Sequence, residues 1–342
     1  MSITFTSLSE ANSAHVREFL VMSWKRDWSD ELAESYFAWR YVARGASETL
    51  VACDQGRCVG ILDSFIRPYW IAGRQEFVRE TCDWFCMPEY RSAGVGLHLM
   101  RRMMAKPQPI LVIGGSADTR NLLPRLKWAK LSDLSSFILV VSARALAGLV
   151  ARNRPRGVTR VVHLIPDLPL IRRLPDVAAP STNSRVRVRG HGEAGETPKI
   201  APYVLAPLLD TKVVDWLARA PAVLGQFLVL DFLCGDELVG ISISRLEKLP
   251  SFGWVAHLIH VHAARFELID WMVGATTRHL VERGAGVVRC RASCPTTARA
   301  LSALGFWQVK RVPAYWWPPN KLAHAGLHHL TALRGDDAFA FY

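Results

Sequence analysis

The sequence predicts an α/β protein built as two tandem halves, each a mixed central sheet flanked by helices. Three observations carry that prediction. The length of 342 residues exceeds the usual single domain, so two domains of about 150 to 200 residues are expected. Alternating apolar stretches are interleaved with stretches of helical period, the pattern of strands and helices that share a sheet. Three landmarks also recur at nearly constant spacing: Trp39 with Trp216, Gly60 with Gly240, and Trp128 with Phe306, at offsets of 177, 180 and 178. Each landmark alone is weak, but together they indicate a tandem duplication.

In the first half, helical segments run through residues 11–41. Strands near 48–53 and 57–66 follow, joined by a hairpin signal in LVACDQGRCVGIL, around Asp54 to Gly60. A strand over 77–87, a helix over 94–105, a strand over 109–114, a helix over 118–127 and a strand over 135–141 complete this half. The second half repeats the order, with a helix over 210–219 and strands over 226–233, 237–246 and 253–261. A helix over 266–283, a strand over 287–292, a helix over 295–304 and a strand near 306–312 end it. The expected domains are 1–150 and 201–342. Between them, residues 151–200 form a linker, marked by PSTNS at 180–184 and GHGEAGE at 190–196.

Half the residues are apolar, which supports packed cores and argues against disorder. The N-terminus has neither the basic n-region nor the apolar h-region of a secretory signal. The longest apolar stretch, Phe137 to Val150, is broken by Ser142 and Arg144 and is too short to span a bilayer. Seven cysteines, an odd number without dense spacing, read as reduced thiols, so a soluble cytoplasmic protein is expected. Cys82 with Cys86 and Cys290 with Cys294 are separated by three residues rather than the two of zinc knuckles, and no metal is expected.

The net charge of +12 is unevenly distributed. Ten arginines but only Asp167 and Asp176 lie between Arg144 and Arg189. Such a strip can attract phosphates, nucleic acid or an anionic lipid surface, or it can be a solvated connection. No helix-turn-helix, zinc finger or aromatic RNA-binding motif accompanies it.

The segment RETCDWFCMPEYRSAGVGLHLMRRM, Arg79 to Met103, carries the chemistry. It alternates like a strand, stops at Pro88, and starts a helix at its glycines. Glycine at 94 and 96 lets phosphate oxygens approach the backbone, while the unpaired amides and dipole of the helix start favour an anion. A turn that merely starts a helix would look the same. A Rossmann fingerprint fits poorly, since Arg91 to Gly96 lacks the third glycine, and the absence of Gly-Lys-Ser/Thr excludes a Walker A loop.

Strand, Pro-Glu-Tyr and then Arg-x-x-Gly-x-Gly resembles the acyl-CoA motif of the GNAT acyltransferase superfamily. The later segment DTRNLLPRLKW, Asp118 to Trp128, is similar to that family's next helix and strand, and LSALGF in the second half carries the usual Gly-Phe ending. The tandem layout is similar to bacterial GNAT proteins encoded with surface-polysaccharide functions.

The resemblance implies transfer of an acyl group from acetyl-CoA, or another acyl-CoA, to an amine. It implies cofactor contacts from Phe85, Met87, Arg91, Ser92, Ala93, Gly94, Val95, Gly96 and Asn121, with Phe85 to Met87 offering a backbone amide to the thioester carbonyl. It also requires a general base. Glu80 and Asp83 are the strand's carboxylates, and a separation of three sets them on opposite faces of a regular strand. Asp83 is nearer the splay, although either could be an ordinary strand carboxylate. The family often places an acid tyrosine five residues before the phenylalanine of Gly-Phe. Leu123 and Leu301 stand there, which leaves Tyr90 or water as the proton donor, or leaves a protein that binds without turnover.

The second half aligns HAARFELIDWMVG with the glycine turn, putting Leu268 and Asp270 near Gly94 and Gly96, so no second cofactor site is expected. His260 and His262 share a strand face and could bind an acceptor or act as base, with His257 expected on the other face. Packed histidines would fit the same pattern. The run Tyr315 to Pro319 could stack on a sugar ring or cover a core edge.

Overall fold

In the computed structural model the described residues are 2–24, 29–43, 48–151, 168–171, 173–190, 193, 198, 200–209, 211–249, 252–319 and 326–333. The first half starts with β1 (Ile3–Ser7), α1 (Ser13–Trp24) and α2 (Asp30–Phe37), the last running into a π turn at Ala38–Val42. The Ser29 side chain caps α2 by accepting from the Leu32 amide. Then come β2 (Leu50–Asp54), β3 (Arg57–Ile71), β4 (Arg74–Cys86), α3 (Pro88–Arg91), α4 (Val95–Met104) and β5 (Ile110–Ile113). They are followed by α5 (Ala117–Arg125), β6 (Ala129–Lys130), β7 (Leu134–Val140) and α6 (Ala143–Ala151). The β2–β3 turn places both Gln55 (φ 50°) and Gly56 (φ 79°) in the left-handed region, the twist that suits a two-residue hairpin.

The later elements are β8 (Ser184–Val188), β9 (Leu205–Pro207), α7 (Thr211–Ala218), β10 (Gln226–Cys234), β11 (Glu237–Leu249) and β12 (Gly253–Ala263). After them come α8 (Ile269–Glu282), β13 (Ala285–Ala292), α9 (Pro295–Ala303), β14 (Trp307–Val312) and β15 (Ala314–Trp317). No helix among the described residues is long and apolar enough to cross a membrane.

These strands form two mixed sheets flanked by helices. The first has the order β1-β2-β3-β4-β5-β15-β6, with β9 paired to β3, and the second has the order β8-β10-β11-β12-β13-β7-β14. The two orders match position by position, and β7 and β15 have changed places. Ala314 of β15 lies opposite Ile113 in the first sheet, and Ser136 of β7 lies opposite Arg291 in the second. Each half thus completes the other's sheet. The aromatic run at 315–319 is accounted for by this exchange: Tyr315 and Trp316 are buried in β15, a core role rather than a sugar platform.

A local two-fold relation joins the halves. Trp39 Nε1 donates to the Trp216 carbonyl at 2.9 Å, and Trp216 Nε1 donates to the Trp39 carbonyl at 2.9 Å. Their rings stack at 4.5 Å with an interplanar angle of 8°. The residues that marked the repeat meet each other. Around them Tyr36, Phe65 and Cys82 of the first half pack against Leu217, Ile241, Ile243 and Ile259 of the second, so one core is shared by both.

The other landmark pair, Gly60 and Gly240, lets a helix approach each sheet. A Cβ on Gly60 would stand 3.1 Å from Val95, and one on Gly240 would stand 2.4 Å from the end of Met272, so a side chain at either position would have to shift its neighbour. Part of the basic strip, residues 152–167 and 172, lies outside the described residues. Its described end is structural: Arg187 and Arg189 both pair with the buried Asp231, and Arg185 pairs with Asp236.

Candidate active site

β4 and β5 run parallel, but they pair only at Arg79 with Ile110, Glu80 with Leu111 and Thr81 with Val112. Beyond that point the strands part. β4 stays on β3 with one extra residue: Ile61 faces Phe85 and Asp63 faces Cys82, so Asp83 and Trp84 together oppose Leu62. Asp83 adopts φ 44°, a left-handed conformation that aspartate tolerates better than most residues and that a bulge imposes. Among the described residues, no strand or isolated bridge is paired into this opening.

The ladder identifies the free amide. Met87 N–H donates to the Val59 carbonyl at 3.0 Å, and in an antiparallel pair alternate residues turn their groups toward and away from the partner. The amide and carbonyl of Cys86 therefore face the opening, and the Cys86 carbonyl accepts from Arg91 Nε at 3.4 Å. The sequence points to Phe85 through Met87, and of these Cys86 is the residue whose amide faces the opening.

The turn follows directly. Arg91, Ser92 and Ala93 are exposed, Gly94 N–H closes the turn on the Arg91 carbonyl at 3.0 Å, and Gly94 has φ 73° at the start of α4. A Cβ on Gly94 would meet nothing within 4 Å. The space above the turn is open, and the first amides of α4, from Val95 onward, have no partner within the helix. Trp84 braces the turn from below by donating Nε1–H to the Gly96 carbonyl at 3.1 Å. Arg91 also reaches toward Asp118 on α5, at 3.9 Å. Asn121 lies exposed on α5. Gly114 and Gly115, with φ 82° and 98°, let β5 turn into α5, which Ser116 caps on the Thr119 amide. Sequence reasoning misses this glycine pair because it has no spacing motif.

Glu80 and Asp83 are both held. Glu80 is buried, takes the Tyr69 hydroxyl on Oε1 at 2.6 Å, and lies 3.6 Å from Arg67 Nε. Asp83 Oδ2 accepts from Arg40 Nε at 2.9 Å, from Arg40 Nη2 at 2.6 Å, and from the Tyr41 hydroxyl. Burial and the neighbouring Asp83 carboxylate push the Tyr41 phenol well above its ordinary value, so it stays protonated as a donor. The two carboxylates were expected on opposite faces, but the extra residue in β4 turns Asp83 onto the face that already carries Cys82 and Glu80. Ligating atoms of Asp63, Cys82 and Asp83 lie within 4.8 Å of one another. Cys82 donates to Asp63 at 3.2 Å, Thr49 donates to Asp63 at 2.7 Å, and Arg40 supplies the positive charge at Asp83. A guanidinium thus already does there what a cation would.

Tyr90 donates its hydroxyl to Asp54 Oδ2 at 3.0 Å. That hydrogen bond, then burial, raises its pKa. Asp54 ends β2, on the side of β4 away from β5, so Tyr90 is turned from the opening. Leu123 and Leu301 are both fully buried and occupy matching places: the Trp128 amide donates to the Leu123 carbonyl and the Phe306 amide to the Leu301 carbonyl, each at 3.1 Å.

Residues 13–107 match the Acetyltransferase (GNAT) family. The match identifies a GNAT-type acetyltransferase domain at residues 13–107, a stretch that includes the parted end of β4 and the glycine turn. A GCN5-related N-acetyltransferase from Anabaena variabilis shares the fold with a TM-score of 0.58 at 12% identity, over 92% of this chain and 72% of that one. The Saccharomyces cerevisiae N-myristoyltransferase with bound myristoyl-CoA gives a TM-score of 0.56 at 11% identity, over 92% and 82%. At these identities the likeness is one of fold. No curated protein sequence matches the chain.

The second sheet repeats the opening of the GNAT domain and then closes it. β12 and β13 pair only up to Leu258 and Cys290, and the segment at 328–331 enters the gap beyond. Ala292 bridges to Thr331, and the Ser293 amide donates to the Leu330 carbonyl at 3.0 Å, on one side. On the other side the Val261 carbonyl accepts from His329 Nε2 at 2.7 Å, and His260 Nδ1 lies 2.9 Å from Thr331 Oγ1. His262 Nε2 donates to the Pro198 carbonyl at 2.9 Å. His260 and His262 are each 1% exposed; they hold chain segments in place and do not face solvent.

His257 was expected on the opposite face, but Ile259 is an extra residue in β12, so His257, His260 and His262 lie opposite Arg245, Ile243 and Ile241, all on one face. The helix start is occupied as well. Leu268 is buried and Asp270 pairs with Arg299 at 3.1 Å. Gly274 serves contact rather than binding, since a Cβ there would stand 2.6 Å from Val177.

Proposed function

We propose that the protein is an acyl-CoA-dependent N-acyltransferase with one cofactor site, at residues 91–96, and that acetyl-CoA is its acyl donor. The observation that carries the proposal is the left-handed Gly94, with open space above it beside strands that have already parted. On this reading residues 1–150 form the acyl-CoA-binding domain, 151–200 the linker and 201–342 a degenerate partner domain. Ser92 through Gly96, with the first amides of α4, hold the pyrophosphate, Arg91 and Asn121 border the pantetheine side, and the Cys86 amide faces the thioester carbonyl. The bound donor supplies an activated acyl group. An amine acceptor arrives protonated, and a carboxylate on the β4 face, Asp83 or Glu80, accepts the proton through water. Amino sugars are the first acceptors to try, in keeping with the likeness to tandem proteins of polysaccharide synthesis.

A second reading has its own observation. Tyr90 is turned away, leucines fill both tyrosine places, and Asp83 is locked by Arg40 and Tyr41, an arrangement that suits an acyl-CoA binder without turnover. Calorimetry with acetyl-CoA, followed by thiol release with a panel of amino sugars and other amines, divides the readings. Binding with turnover that falls about 100-fold or more in Asp83→Asn or Glu80→Gln supports the enzyme and names its base. Binding without thiol release supports the second reading, and no binding removes both.

A further inference from the structure

The β2–β3 hairpin sets two cysteines face to face. Its turn, Gln55-Gly56, is closed by Asp54 opposite Arg57, and the next pair along the ladder is Cys53 opposite Cys58. Among the described residues this is the one ladder position at which cysteine opposes cysteine. Cys82 faces Asp63 and Cys86 faces Gly60, while Cys234 faces Glu237 and Ser184, and Cys290 faces Leu258 and Phe137.

The backbone decides how near the two residues stand. In an antiparallel ladder, a residue that turns its backbone groups toward one neighbouring strand turns them away from the other. The Cys53 carbonyl accepts from the Thr4 hydroxyl of β1 at 3.4 Å, so Cys53 is turned toward β1 and forms a non-hydrogen-bonded pair with Cys58. Such pairs hold their Cα atoms about 4.5 Å apart, inside the range of about 4.4–6.8 Å that a disulfide spans. Both residues are thiols, Cys58 buried and Cys53 half-buried. Burial, and then the neighbouring Cys53, push the Cys58 thiol up to about 12, so the two groups are near enough to act on each other.

The matching hairpin of the second half shows that the fold does not demand cysteine. Between β10 and β11 the ladder carries the same extra residue: Phe232 opposes Gly240 and Leu233 opposes Leu238, just as Ala52 opposes Gly60 and Cys53 opposes Cys58. Leucines occupy both equivalent places.

We infer that Cys53 and Cys58 are a reversible dithiol–disulfide pair, oxidised by a small disulfide of the glutathione class and felt at the turn that follows Tyr90. The Cys53 thiolate, the more exposed of the two, attacks one sulfur of the oxidant, forms a mixed disulfide and releases one glutathione thiolate. The Cys58 thiolate then attacks the Cys53 sulfur and releases the second. Two protein thiols give up two electrons and two protons, and one oxidant becomes two thiols. Cys58 never has to reach solvent, since its target is already opposite it, and a thiolate of high pKa is a strong nucleophile once formed. Closing the bond draws the Cβ atoms in to about 3.8 Å and pulls on the adjoining pair. Asp54 belongs to that pair and accepts the Tyr90 hydroxyl at 3.0 Å, one residue before the turn at 91–96. The disulfide stands whether or not that turn holds a cofactor.

The test incubates the full, folded chain with oxidised glutathione at mildly alkaline pH, alkylates the remaining thiols and maps linked peptides by mass spectrometry. A Cys53–Cys58 disulfide is expected, exceeding any other cysteine pair by about 100-fold, undone by reduced glutathione and unchanged in Cys234→Ser. In Cys53→Ser, a conservative variant whose folding a thermal melt confirms, Cys58 should stay a thiol. Exchange of the backbone amides at 88–96 should rise about 10-fold in the oxidised wild type and not in Cys53→Ser under the same treatment. Alkylation of both Cys53 and Cys58, or a link that forms only in denaturant, overturns the pair. A link without any change in exchange at 88–96 overturns its connection to the turn.

Discussion

The two central openings are built from the same strands in the same order, and they differ in how the chain leaves the central strand for its helix. After β4, eight residues pass before α4 begins, enough to form α3 and a wide turn ending in a left-handed glycine. After β12, five residues lead into α8, and Leu268 packs into the core where the turn would widen. The parting of the strands is also answered differently. Beyond β4 the described chain leaves the gap open, whereas beyond β12 the segment at 328–331 bonds to both walls. Parted strands are thus common to both halves, and the glycine turn belongs to the first alone.

The largest expected effect tests how far the halves depend on each other. Trp216→Ala removes a stacked ring and a reciprocal hydrogen bond from the shared core, and a loss of about 3–5 kcal/mol is expected. Because Trp39 and Trp216 each satisfy the other, chemical denaturation should show one transition, shifted as a whole. Two separated transitions would show that the halves fold independently.

Next in size is the contrast between turns. Gly94→Val forces a β-branched side chain into the left-handed region and fills the open space. CoA affinity should fall by about 100-fold, or about 2.7 kcal/mol. The paired change Asp270→Gly in the second half should leave the stoichiometry at one CoA per chain. A second site appearing in calorimetry would place the difference between the halves in that side chain alone.

The smallest effect concerns His257, buried in β12 of the second sheet. Burial and then Arg245 hold the His257 imidazole down at about 3, against an ordinary value of 6.5. The unfolded chain therefore takes up this proton first as pH falls. Stability is fully present above about pH 6.5 and is lost progressively toward pH 3, with about 2 kcal/mol gone at pH 5. In His257→Gln the difference in denaturation midpoint between pH 8 and pH 5 should shrink by the corresponding amount. An unchanged difference would mean that His257 is not the group that titrates.

Much of the architecture was legible because it rests on periodicity. The strands and helices that were read lie within a few residues of those observed, apart from β3 and β4, which run further, and one of the three repeat pairs, Trp39 with Trp216, consists of residues that touch. The turn at 91–96 was legible as a turn that opens a helix because its glycines are spaced for it. Face assignments failed in both halves for one physical reason. A single extra residue in β4, and another in β12, reverses the alternation beyond it, so Asp83 joins Glu80 and His257 joins His260. Bulges leave little trace in composition. The strands β1, β6, β8, β9 and β15 and the helix α6 were also hidden: β6, β9 and β15 have only two to four residues and carry no period, and β8 lies in the stretch whose composition reads as linker.

The exchange of β7 and β15 also constrains how the chain can be made. β5 completes its pairing only with residues 314–317, about 200 positions later in synthesis. Until those residues leave the ribosome, β5 presents an unpaired, strongly apolar edge in the nascent chain. Such an edge invites aggregation. The first sheet therefore cannot be completed before most of the second half has been translated. A gene split at the linker would separate each sheet from a strand that it needs.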